Sequence, residues 1–396
     1  MKGNIHSRGA AFLWDESFLW GLAAFRALKA NGLQFGLLRC DDVKRGALAG
    51  YSLLFVPGGW ASNKLKALGP EGALAVREFV EAGGNYFGIC GGAGLATAEG
   101  LGLLPVARRP LKERVPSLSG RVRSRLISHP IWGSGEKQHE EFHIWWPSQF
   151  VVSGENTRVL AEFDGPTEDT FSSDIKAAGI KDWTSLEQSY GLNLDPAKMH
   201  GDPLAVEGQY GRGNVLASLI HFDTPDDAAG RAVLGNIWRY LGGTASGATA
   251  ETEALRAGRR CAALLGPIEE LMAFGLENSL WSPRGWIIQW RRGVRGLEYA
   301  TLYEMAKELA AMANGAPDTR LDELSQRLGM FCRKAKALLT MEKAALSSGE
   351  ALSYSSAPSP EMKALREELF SSSKSHGGEF KKILDIADNL LFETLE

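Results

Sequence analysis

The chain has 396 residues and a formal net charge of -3, from 44 basic and 47 acidic side chains, with 44% hydrophobic and 23% charged residues. That length suits two or three domains of roughly 150 residues each and buries a core without a disulfide or metal staple, while the near-neutral balance excludes a broad phosphate-binding surface. Nucleic acid and membrane are therefore not expected partners, and nothing calls for a cofactor or metal. Cys40, Cys90, Cys261 and Cys332 lie far apart without paired spacing, which argues against a disulfide framework and fits a reducing compartment. With no leader-like segment and no apolar run near ~18 residues, the cytoplasm is the expected location.

Along the first half, strand-like and helix-like patterns alternate. Ala10–Trp14 reads as a strand, Phe18–Asn31 as a helix and Gln34–Leu38 as a second strand. Tyr51–Val56 is a continuous apolar run ending in Pro57-Gly58-Gly59, as a buried parallel strand would be. Gly72–Ala82 reads as a helix stopped by Gly83-Gly84, and Asn85–Ile89 as a strand entering Cys90 and the small-residue helix Ala93–Ala98. This alternation predicts an α/β fold, a mostly parallel sheet between helices. From Arg108 to Lys198 the pattern loosens into charged loops with a Trp-rich patch, apart from a strand at Val159–Phe163. Leu204–Tyr210 and Asn214–His221 read as strands joined by a Gly211-Arg212-Gly213 turn, and Asp226–Leu241 as a closing helix.

Gly242–Ala250 is small, polar and linker-like. It divides a domain over 1–246 from an all-α region over 250–396. There Glu251–Met312, Leu321–Ser347, Met362–Phe370 and Phe380–Glu396 read as helices, with no strand pattern.

The chemistry concentrates at Gly88-Ile89-Cys90-Gly91-Gly92. A nucleophile between glycines, at a strand-to-helix turn, is lifted above the sheet edge, where the helix N-terminus favours a thiolate. Gly59, at the end of the preceding strand, is positioned to offer a second amide beside that of Gly91 as an oxyanion hole. His221-Phe222-Asp223 supplies a base and an acid that orients it, making Cys90, His221 and Asp223 the candidate triad. Asp223 also suits a helix cap.

These segments, with VPGG, GGNYFGICGGAGLA and GRGNVLASLIHFD in order, resemble the N-terminal domain attached to biotin–protein ligases and its stand-alone bacterial relatives. That family belongs to the class I glutamine-amidotransferase-like superfamily. The resemblance implies a flavodoxin-like sandwich, with the triad on Cys90, His221 and Asp223 and the oxyanion amides on Gly59 and Gly91. Two departures stand out. Glutaminases of the superfamily carry glutamine four residues after the nucleophile, where this chain has Gly94, and many use glutamate where it has Asp223. The biotin-ligase signature loop is absent, so biotin ligation is not expected.

Trp60 and His143 are the candidates for contact with substrate at the rim over Cys90. His139 and His143 would share a helix face able to hold zinc, but the flanking Trp and Pro disfavour a helix there. Trp281–Arg295 mixes tryptophans with arginines. This composition suits either single-stranded nucleic acid or, more simply, an amphipathic helix with a solvated basic face. The pattern thus predicts a cysteine-dependent amidase or transferase acting on a small-molecule or peptide amide. Its rival is a non-catalytic module that binds a small ligand or protein. The helical region offers itself for self-association or a protein partner.

Overall fold

The apolar runs Ala10–Leu13 (β1), Phe35–Leu38 (β2), Leu53–Val56 (β3) and Asn85–Ile89 (β4) pair side by side as parallel strands in a computed structural model. The model describes residues 9–133, 137–245, 259–312, 319–354, 357–371 and 376–396. The chain divides into two compact units, Met1–Glu251 and Thr252–Glu396. Part of the linker read at Gly242–Ala250, from 246 onward, lies outside the described residues.

In the first unit, β1 and β3 are buried along their whole length. Their alternate residues serve two cores. Ala11, Leu13, Leu54 and Val56 pack with Leu68, Val76 and Val80 of helix α3 (Ala61–Glu81). Facing the other way, Phe12 and Phe55 meet an aromatic layer that includes Trp14, Phe35 and Trp238. Helices α1 (Phe18–Ala30), α2 (Cys40–Lys44) and α3 connect these strands in turn, and α4 (Gly91–Ala96) follows β4. Pro70 lacks the amide a helix interior needs, so α3 kinks at Gly69 (φ 61°), and the helix begins about three turns earlier than its Gly72–Ala82 stripe suggests.

The region from Arg108 to Lys198 is more ordered than its sequence pattern suggests. It contains Val106–Arg108 (β5), Leu118–Leu126 (β6), His139–Trp145 (β7), Phe150–Val152 (β8), Arg158–Pro166 (β9), Phe171–Ser172 (β10), Ile175–Lys176 (β11) and the helix Trp183–Tyr190 (α5). β6 alternates: Val122, Ser124 and Leu126 point inward, while Arg123 and Arg125 face water and pair with Asp164 and Glu162 on β9. The chain then adds Pro203–Tyr210 (β12), Gly213–Ser218 (β13) and Ala228–Tyr240 (α6). β12 and β13 form a hairpin whose turn is Gly211-Arg212, with Gly211 at φ 58°.

The resulting sheet has eleven strands. β2, β1, β3, β4 and β13 run parallel in that order, and β12, β9, β6, β10 and β11 continue it antiparallel, with β7 also on β6. This is a flavodoxin-like, mostly parallel sheet with an antiparallel extension. The β13–β4 pairing aligns Ser218 with Ile89, so the end of β13 lies beside the turn that carries Cys90.

The second unit is helical: Arg259–Glu277 (α7), Leu297–Met312 (α8), Thr319–Ser347 (α9), Pro360–Phe370 (α10) and Gly378–Leu395 (α11). Tyr299, Phe331, Phe370 and Phe380 meet in its core at centroid distances of 5.7 to 6.4 Å. Beside them Arg366 holds the buried carboxylate of Glu342 at 2.7 Å; burial pushes that carboxyl up to about 7, against the pull of Arg366. The helix expected over Glu251–Met312 is interrupted. Trp281–Arg284 (β14) and Ile287–Trp290 (β15) form an antiparallel hairpin turning at Gly285-Trp286. Pro283 and a glycine at φ 55° favour that turn over a helix. Trp281–Arg295 is therefore not an amphipathic helix. Among the described residues, no helix is long and apolar enough to cross a membrane.

Candidate active site

β4 runs directly into Cys90, whose backbone sits at φ 50° and ψ −100° before α4 begins. A side-chain-bearing residue there is strained by roughly 1–3 kcal/mol. The turn closes only because its neighbours are glycines. A Cβ on Gly88 would lie 2.5 Å from the Gly92 carbonyl, one on Gly92 1.9 Å from the Val56 oxygen, and one on Gly91 2.1 Å from the Gly59 oxygen. The Cys90 amide donates to Ser218 O at 2.7 Å, which ties the turn to β13. The thiol is partly exposed and donates to the Trp145 carbonyl, 3.7 Å away. Cys90→Gly is expected to raise stability by about 1 kcal/mol in chemical denaturation, because glycine adopts positive φ freely. An unchanged or lower stability would mean that the turn is not strained at this residue.

His221 lies three residues beyond β13, past an isolated bridge between Ile144 and Ile220. The strand expected over Asn214–His221 ends early because the Ser218 hydroxyl engages the backbone of Ile220. The His221 amide donates to the carbonyl of His143 at 2.8 Å, and its ring lies under Trp20 at 4.9 Å. Its Nδ1 sits 2.9 Å from Asp223 Oδ1, with both side chains 1% exposed. Burial alone would lower the pKa of this ring. The Asp223 carboxylate and the neighbouring Cys90 sulfur outweigh burial and raise it to about 10. The other ring nitrogen, Nε2, is buried, and among the described residues no partner lies within ordinary hydrogen-bond distance of it. Cys90, His221 and Asp223 are thus brought together.

Gly59 and Gly91 are also neighbours: a Cβ on Gly91 would lie 3.0 Å from the Gly59 nitrogen. Among the described residues, neither amide donates a backbone hydrogen bond. Gly59 adopts φ 121°, and a side chain there would meet the Glu16 carbonyl at 2.2 Å. Trp60 follows at the head of α3 with 46% of its surface exposed. His143 lies on β7, its ring parallel to that of Trp145 at 6.0 Å and its Nδ1 2.8 Å from Asp227. Burial opposes ionisation of Asp227, but the bonds from His143 and from the Gly230 amide hold its carboxyl below the usual range. Since His139–Trp145 is a strand, His139 and His143 are separated by about 13 Å along it. Among the described residues no group of three or more His, Cys, Asp or Glu could hold a metal ion.

Trp145 and Trp146 belong to the Trp-rich segment read at the rim over Cys90, whereas Trp20 and Lys64 escaped the sequence reading. Trp20, Trp145 and Trp146 form an aromatic wall beside His221, with centroids 5.9 to 6.2 Å apart. The Trp145 indole donates to Thr224 Oγ1 at 3.3 Å. Lys64 is fully buried, its ammonium on the Asp15 carbonyl at 3.0 Å and Ser17 Oγ at 2.5 Å, and it props the loop against which Gly59 packs. Lys64 stands in register with Leu68, Val76 and Val80 on the buried face of α3. A lysine in an apolar stripe was the available signal.

No family model matches the chain, and no curated protein matches it. Among solved structures it is similar to PurLQS from Thermotoga maritima, at 17% identity over 59% of this chain and 98% of that one, TM-score 0.41. A glutamine amidotransferase from the same organism matches at 12% identity, over 60% and 99%, with TM-score 0.37. A β-galactosidase from Bacillus circulans sp. alkalophilus matches at 14% identity over 60% of this chain and 32% of its own, TM-score 0.38. The flavodoxin-like class is carried by the strand order itself.

Proposed function

We propose that the first unit is a cysteine-dependent hydrolase or transferase acting on an amide C–N bond, of the biotin–protein ligase N-terminal-like kind. The observation that carries this reading is the buried His221–Asp223 pair beside a partly exposed cysteine in a strained turn. Strain held at one residue, next to an imidazole held by a carboxylate, is the arrangement of an activated nucleophile. In this reading the thiol turns from the Trp145 carbonyl to the neutral His221 Nε2 and gives up its proton, and the charge left on sulfur helps Asp223 to hold the resulting imidazolium. The sulfur then adds to the amide carbon, and the Gly59 and Gly91 amides take the charge on oxygen. His221 returns the proton to the leaving amine. Water, deprotonated by the same imidazole, cleaves the thioester to a carboxylic acid and restores the thiol. Trp60 and His143 line the approach, and the compartment is the cytoplasm.

A panel of primary and secondary carboxamides, followed by amine release, tests this. Turnover by the wild type that vanishes in Cys90→Ala is expected; turnover of none, or turnover that survives the substitution, overturns it. Free glutamine is expected to release negligible ammonia, because Gly94 supplies no side chain where glutaminases place glutamine. Cys90-dependent glutaminase activity would refute that.

The same reading makes 1–246 self-sufficient and gives 250–396 the task of association with itself or a protein partner. Residues 1–246 expressed alone should melt cooperatively and keep Cys90 reactive. Sedimentation should show the full chain, but not the truncation, associating. An aggregated truncation would refute this division.

A further inference from the structure

A groove of about 530 Å³ opens between α3 and the segment that follows the nucleophile turn, within the size range of small-molecule sites. Leu65, Pro70 and Ala73 supply an apolar wall, and Lys66, Glu99 and Arg108 supply the charges. We propose that this groove receives the acyl part of the substrate, an apolar chain ending in a carboxylate. This inference rests on the reading of Cys90 as an acyl-accepting nucleophile.

The groove adjoins the nucleophile turn through both its walls. Gly94, in its lining, lies one helical turn beyond Cys90, about 6 Å of rise. Ala61, also in the lining, is two residues past Gly59, whose amide is the proposed oxyanion donor. A Cβ placed on Gly94 would lie 3.2 Å from the Ala61 Cβ and 3.7 Å from Arg108 Cδ. Any longer side chain at 94 would therefore fill the space between them. The residue that removes the glutaminase glutamine is the one that leaves the groove open.

The charges select an anion. Among the described residues Arg108 Nε is buried without a hydrogen bond, and its ion pair with Glu99 is loose, at 3.8 Å. Glu99 is turned instead toward the backbone amide of Arg108, accepting from it at 3.1 Å. Lys66 is exposed and has no ion-pair partner among the described residues. Two cations against one carboxylate leave a single positive charge, which matches a carboxylate rather than a doubly charged phosphate. A buried unsatisfied N–H is costly, and a carboxylate on Arg108 would satisfy it while the stem of the chain covers Leu65 and Ala73.

The test uses the full chain and two affinity reagents, N-bromoacetyl-6-aminohexanoate and its neutral methylamide. In each, the Cys90 thiolate displaces bromide and forms a thioether. The carboxylate reagent is expected to alkylate Cys90 at least tenfold faster, with saturation, and faster than the matching phosphonate. Arg108→Gln and Lys66→Gln should each shrink that ratio, and Gly94→Leu should abolish it, every rate being taken relative to the same variant's rate with small, neutral iodoacetamide. Equal rates for the two reagents, with iodoacetamide still selective for Cys90, overturn the groove and leave the nucleophile intact. If Cys90 proves unreactive, calorimetric binding of 6-acetamidohexanoate decides separately. Binding lost in Arg108→Gln supports the groove, and no binding by the wild type refutes it.

Discussion

Iodoacetamide at neutral pH will alkylate Cys90 at least about tenfold faster than Cys40 or Cys332 in the folded chain. Cys40 is buried, and its thiol is pushed far up, first by burial and then by the neighbouring carboxylate of Asp15. Cys332 is buried too, and burial raises it to about 12. Cys90 alone of the three is partly exposed and stands beside a ring whose protonated form is favoured. Substituting His221 by Ala, or Asp223 by Asn, removes that cation or its support and should slow Cys90 labelling about tenfold or more, with the other thiols unaffected. Labelling of Cys90 no faster than Cys332, measured by peptide mass spectrometry, would remove the basis for a nucleophile.

The same ring gives a pH signature in stability. The folded pKa of His221, about 10, lies above its ordinary 6.5. Its protonation therefore contributes stability that is fully present below pH 6.5 and lost as pH rises through 10. The denaturation midpoint should fall across that window in the wild type, and the fall should flatten in His221→Gln.

Gly92→Ala will destabilise the protein by about 3 kcal/mol or more, lowering its melting temperature by roughly 5–10 °C. The added Cβ would stand 1.9 Å from the Val56 carbonyl oxygen, a backbone atom within the sheet that has no side-chain freedom to give way. Gly91→Ala should behave similarly, because its Cβ would meet the Gly59 carbonyl at 2.1 Å and push apart the two amides of the proposed oxyanion hole. Gly94→Ala, whose nearest neighbour would be the Ala61 Cβ at 3.2 Å, is the control and should cost under about 1 kcal/mol. Comparable melting of all three would mean that the turn relaxes more freely than its contacts imply.

The continuous apolar runs at β1 and β3 were legible because a strand buried on both faces has no polar positions to alternate with. The spacing of glycines around Cys90 was legible because backbone crowding leaves its mark directly in residue type. β6 was legible in principle, since Val122, Ser124 and Leu126 alternate with arginines, but the outward charges resemble a loop until Glu162 and Asp164 are seen opposite them. The hairpin Trp281–Trp290 was misread because its tryptophans and arginines fit a helix face equally well, and only Pro283 and Gly285 argued otherwise.

By itself the sequence determined the parallel-sheet class, the position of the glycine-flanked Cys90 turn and the order of the candidate triad, all of which follow from local patterns of burial and backbone sterics. Tertiary structure alone decided that β13 pairs with β4, so that His221 and Asp223 arrive beside Cys90. It also decided that Lys64 lies buried under the Gly59 loop and that Arg108 faces an open groove. Each of these joins segments distant in the chain, and their energies depend on which surfaces remain exposed once the sheet has closed, a quantity that no local pattern carries.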